Sequence, residues 1–104
     1  MNSKLCLPGA PANEGAHRLA WLLTDHKADA RKQLNERGVN DLALDRIVRG
    51  EILPGMDIGR AIFFVSNHAI AAWHWNTPAA GSWFDRPTDW PEFGSPAAFE
   101  RRAA

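Results

Sequence analysis

Between residues 40 and 49 the chain carries Asn40, Leu42, Asp45, Arg46 and Arg49. Side chains of this kind on one helix face can read or hold a nucleic acid. A guanidinium can make two parallel hydrogen bonds to a guanine edge, which makes Arg46 the candidate for a base contact. Asp45 would repel phosphate, but its carboxylate can accept a bond from a cytosine amino group. Asn40 stands at a helix start, where it can either touch base or phosphate or simply cap the helix. Arg49 suits a phosphate. Upstream, Arg31 and Lys32 begin the preceding helix, where their charges and the free amides of the first turn can hold a sugar-phosphate backbone. For each of these charges the alternative is an ordinary solvated surface group.

Other chemistries find little footing. His17, His26, His68 and His74 show no metal-ligand spacing, and His68 and His74 have no cysteine near them. Cys6 is the only cysteine, so no intrachain disulfide can form, and no base accompanies it before Pro8. Ser3, Ser66, Ser82 and Ser95 lie in no nucleophile-elbow context, and no Gly-rich phosphate loop follows a strand. Neither an enzyme, a metal site nor a cofactor is expected.

The elements that would position these residues read as short helices. From about Ala16, Leu19, Leu22 and Leu23 share a face with Trp21 beside it, and the pattern runs to about His26. Asp29 is expected to cap a second helix, Ala30–Arg37, whose inward stripe is only Ala30 and Leu34. Gly38 should stop it in the left-handed conformation. A third helix, capped by Asn40 or Asp41, runs to about Arg49 before Gly50. At about 100° per residue, Ile47 and Val48 fall within about 60° of Leu44, while Leu42, Asp45, Arg46 and Arg49 lie about 100–200° round the wheel. After "EILPG", a fourth helix over Met56–Ser66 carries Ile58, Ala61, Ile62 and Val65 inward, widened by Phe63 and Phe64. This helix is expected to be the most buried. A short helical turn is expected near Ala71–Trp75, and no strand is expected.

Two short helices joined by a Gly-containing turn, the second apolar on one side only, outline a helix-turn-helix. Residues 29–50 resemble the helix-turn-helix of the lambda-repressor/Cro-like (XRE) regulators. The likeness rests on Gly38-Val39 at the turn, Leu44 and Ile47 at the buried positions of the recognition helix, and Arg46-Ile47-x-x-Gly50 closing it. "GEILPGMDIGRAIFFVSNHAIAAW" is similar to the linker and following helix of such domains, so the resemblance covers residues 17–75. Leu34 stands where that family commonly has Ala, and Gln33 and Arg37 where it has apolar residues. The resemblance implies an all-α domain of four to five short helices, sequence-specific binding to a double-stranded DNA operator, and a dimeric repressor of phage, plasmid or bacterial type.

Composition bounds this reading. The chain has 104 residues and 45% hydrophobic content, which suits one domain with its own core. Twelve basic and twelve acidic side chains give zero net charge, and residues 27–60 are barely positive. Phosphate affinity comes from cations, so one copy should bind DNA weakly and a homodimer on two half-sites is the natural remedy. The start of the chain lacks an apolar signal core and no run reaches membrane-spanning length, so a cytoplasmic protein without a membrane segment is expected. Three parts are expected: a flexible lead over 1–14, the helix-turn-helix domain over 15–76, and a Trp- and Pro-rich extension over 77–104.

Trp73, Trp75, Trp83, Phe84 and Trp90, joined by Phe93 and Phe99, crowd the last third. Aromatic enrichment of this kind fits a dimer or partner surface. The other reading is that the tail folds back over the fourth helix, each ring burying apolar area. A protein-interaction module on the same fold, an antitoxin or inhibitor gripping a partner through this tail, is the alternative function.

Overall fold

The computed structural model describes residues 7–25 and 27–93. The expectations for Cys6, His26, Ser3, Ser95 and Phe99 fall outside them. Four α-helices, α1 (Glu14–Thr24), α2 (Ala30–Glu36), α3 (Asp41–Val48) and α4 (Met56–Val65), are followed by a 3-10 helix at Ala72–Asn76. The protein is all-α, with no strand among the described residues. α1 is the hub, packing against α2, α3 and the 3-10 helix, while α2 leans on α4.

Three of the four α-helices, α2, α3 and α4, end in one repeated way. At the end of α2, Gly38 has φ +92°. Its N–H bonds the Asn35 carbonyl, and the Val39 N–H bonds the Leu34 carbonyl at 2.9 Å. This is the Schellman arrangement, completed by burial of Val39 and Leu34 in the same core. At the end of α3, Gly50 (φ +79°) and Glu51 repeat it against Ile47 and Arg46. At the end of α4 both Asn67 and His68 are left-handed, and the His68 ring stacks flat on Phe63 with centroids 4.3 Å apart. Three tight reversals in one chain explain how such short helices can pack around one core.

Two starts differ from expectation. α1 begins at Glu14, because the Asn13 side chain accepts the Ala16 N–H at 2.7 Å. Asp29 does not cap α2 with its side chain: its backbone is left-handed (φ +50°) and its carboxylate makes no cap bond. Gln33 ties that turn instead, its side-chain amide donating to the Ala28 carbonyl.

The most buried helix is α1, which buries Glu14 to Ala20 and Leu22; α4 buries only Ala61, Ile62 and Val65. The tail is fastened to α1 by the bonds of His17, Arg18 and Trp21 to Asp85, Thr88 and Trp83. Residue 76 is no boundary of the core, since Trp83, Trp90 and Phe93 belong to the same cluster as Leu19 and Leu22. Trp21 Nε1 donates to the Trp83 carbonyl and Trp83 Nε1 to the Pro8 carbonyl, both at 2.8 Å. Gly15 makes room for the Trp75 ring; a Cβ there would stand 2.5 Å from ring carbon Cδ2. Among the described residues no helix is long and apolar enough to cross a membrane.

Candidate nucleic-acid interface

The turn from α2 to α3 is built from its own side chains. Asn40 caps α3 by accepting the Ala43 N–H at 2.8 Å. The Asn35 amide donates to the Val39 carbonyl and to Asp41. With the turn held, α3 buries Leu44, Ile47 and Val48 and turns Asn40, Leu42 and Arg46 to solvent; Asp45 and Arg49 are half-buried beside them. This is the division of faces expected from the helical wheel.

The cations on this face are paired with carboxylates. Arg31 reaches Asp41 at 3.0 Å and Asp45 at 3.4 Å, bracing α2 against α3. Arg46 and Arg49 converge on Glu51, with Nε–O distances of 3.4 and 2.8 Å. Lys32 is exposed and has no ion-pair partner among the described residues. These bonds act on the acids: the Arg31 and Asn35 donors hold the Asp41 carboxyl below the usual range, and Arg49, then Arg46, do the same for Glu51. Glu51 was not among the candidates read from the sequence. Its backbone N–H closes the α3 reversal on the Arg46 carbonyl, which fixes it beside both arginines.

The aromatic candidates divide. Trp75, Trp83 and Trp90 are buried in their own chain's core, so in this fold they offer no surface to a partner. Trp73 and Phe84 are exposed.

A second polar cluster had no signal in local sequence. Buried Arg18 donates from Nε to Glu14 at 2.7 Å, and from its two terminal nitrogens to the carbonyls of Ala69 and Thr88. The other Glu14 oxygen accepts the Ala80 N–H. His17 Nε2 donates to the Asp85 carbonyl at 2.7 Å, leaving Nδ1 buried without a hydrogen-bond partner, 3.6 Å from Glu14. Burial raises the Glu14 pKa, but the Ala80 amide and Arg18 outweigh it and the net direction is down. His74 nearby is pushed down, first by burial and then by the Arg18 charge. These groups fasten the tail and the 68–71 segment to α1, and each polar bond is made within the chain, so the cluster reads as a clasp. Among the described residues no group of three His, Cys, Asp or Glu is placed to hold a metal ion.

Comparison with family models, with curated proteins and with solved structures gave no match.

Proposed function

We propose that the protein binds double-stranded DNA sequence-specifically as a transcriptional regulator, a dimeric repressor of the lambda-repressor/Cro-like kind acting in the cytoplasm. The observation that carries this reading is the α2–turn–α3 unit. α3 is anchored by three buried side chains and capped by Asn40, and it presents Leu42, Arg46 and its N-terminal end outward. A helix held in this way can enter a major groove with its first turns against base edges. Leu42 is a large apolar side chain with no core to fill, and in a groove it would meet a thymine methyl. Arg46 would leave Glu51 for a guanine, Arg49 and Lys32 would meet phosphates, and Arg31 would serve chiefly to fix α2 against α3.

The test is a gel-shift series on duplex DNA from upstream of the protein's own gene, at low and moderate salt. The wild type is expected to select one segment, Arg46→Ala to keep weak binding while losing selectivity, and Lys32→Ala to weaken all binding evenly. Absence of any duplex binding at low salt overturns the reading. A truncation after Trp75 is unsuitable, because it removes Trp83, Trp90 and Phe93 from the core.

The second reading is a protein-interaction module on the same fold, such as an antitoxin or an inhibitor. It draws support from the pairing of Arg31, Arg46 and Arg49 with carboxylates, which leaves little free positive charge on the α3 face.

A further inference from the structure

With Trp75, Trp83 and Trp90 buried, Phe84 is the one exposed large aromatic of the described tail, and a larger apolar surface lies along α4. The apolar groove along α4, of about 550 Å³, runs between that helix, the Leu53-Pro54 segment before it and the 3-10 helix. Its rim holds Leu53, Met56 and Trp73, exposed by 61%, 78% and 67%. Large apolar side chains gathered in this way mark an interaction surface.

We infer that this groove is where a second copy of the chain docks, with the two α4 helices packed antiparallel about a two-fold axis. Charge chooses this occupant. Asp57 and Arg60 are exposed on α4 and have no ion-pair or hydrogen-bond partner among the described residues. Arg60 lines the groove, and Asp57, three positions before it on α4, lies beside it on the same flank. In an antiparallel pair the residues on one flank face each other, so each Asp57 meets the other copy's Arg60, twice per dimer. The surface is self-complementary, as an isologous contact requires. Gly59 adds room for the approach: it sits inside the helix, and a Cβ there would find no atom within 4 Å. The inference supplies the second half-site of the DNA reading and rests on that reading for its purpose, while the surface itself is argued without DNA.

The test is therefore made without DNA, by analytical ultracentrifugation of the full chain, with circular dichroism as the check on folding. The wild type is expected to dimerise below about 100 μM. Asp57→Arg alone and Arg60→Asp alone each set like charges together and should weaken the dimer by about tenfold or more. Mixed in equal amounts, the two variants regain both opposite-charge contacts and should form a heterodimer of near wild-type affinity. Met56→Glu, at an exposed position, should leave the fold intact and the chain monomeric. A monomeric wild type overturns the inference, and so does a dimer indifferent to all three substitutions. A mixture that fails to re-associate while each variant alone is weakened overturns the antiparallel pairing. A dimer that forms as described but binds no DNA leaves this surface standing and removes the DNA reading alone.

Discussion

Replacing Arg18 tests the clasp that joins the tail to α1. The side chains of Arg18 and Glu14 are 11% and 6% exposed, so their ion pair is shielded from water. Arg18→Met keeps most of the apolar stem but deletes all three of its bonds: the one to Glu14 and those to the carbonyls of Ala69 and Thr88. It also strands the Glu14 carboxylate, which keeps only the Ala80 amide. Breaking a buried pair from one side costs about 3–5 kcal/mol. In a domain whose total stability is about 5–15 kcal/mol that is a large share. At about 4–8 °C per kcal/mol, the expected fall in Tm is at least roughly 12 °C. The local signs should appear first: red-shifted emission from Trp83 and Trp90, and faster chymotryptic cleavage at exposed Phe84. Glu14→Gln combined with Arg18→Met should be less damaging than Arg18→Met alone, because no buried charge is then left unpaired. If Arg18→Met lowers Tm by less than about 4 °C and leaves cleavage at Phe84 unchanged, the clasp does not hold the tail.

Three further outcomes follow from particular contacts. Gly15→Ala drives a methyl into the Trp75 ring and should cost about 1–3 kcal/mol by thermal denaturation, with a change in near-UV dichroism. Gly38→Ala has open space around it, so its cost of about 1–2 kcal/mol should come from the left-handed backbone alone, with side-chain signals unchanged; a neutral result would contradict the observed turn. Stability should fall on acidification in two stages. The His74 pKa is lowered on folding, so its contribution is complete above the unfolded value of about 6.5 and declines as pH drops from there through the folded value. The Glu14 pKa is also lowered, so its share persists above the ordinary glutamate value of about 4.3 and is lost as pH falls through the folded one. Tm measured against pH in wild type and His74→Gln separates the stages, since only the first should vanish in the variant.

The helices were legible because their apolar residues recur at three and four positions, and because Gly38 and Gly50 stand where left-handed reversals are needed. The start of α1 was misplaced for a physical reason. Gly15 precedes the expected helix start at about Ala16, and only Trp75, sixty positions on, explains it as a close-packing site within a helix. Glu14, His17 and Arg18 carry no local signal of burial. They are buried because the carbonyls of Asp85 and Thr88 and the amide of Ala80 come back to meet them. The tail rings have no period, and their destination is set by such distant bonds, which no local pattern encodes. Asp29 looked like a side-chain cap by residue type, yet its left-handed backbone leaves the carboxylate out of the cap.

Glu51 bears most directly on how a chain of zero net charge could select one DNA sequence. Arg46 and Arg49 share its carboxylate, and the Glu51 backbone is fixed by the turn that ends α3. For either arginine to bind DNA it must exchange that carboxylate for another acceptor. A phosphate is an even exchange of one anion for another, whereas a guanine edge offers two parallel acceptors to the one guanidinium. On the DNA-binding reading, Glu51 would therefore lower affinity for any duplex and, where Arg46 gains the paired guanine bonds, cost the operator least. Glu51→Gln should strengthen binding to random duplex more than to the operator. If one freed guanidinium gains one phosphate, the salt slope should steepen by about 0.9, so that the variant loses roughly 3.5-fold more affinity than wild type between 50 and 200 mM salt. Fluorescence anisotropy on operator and scrambled duplexes across that range measures both quantities. An unchanged slope together with an unchanged operator preference would refute the exchange and leave Glu51 only its place in the turn.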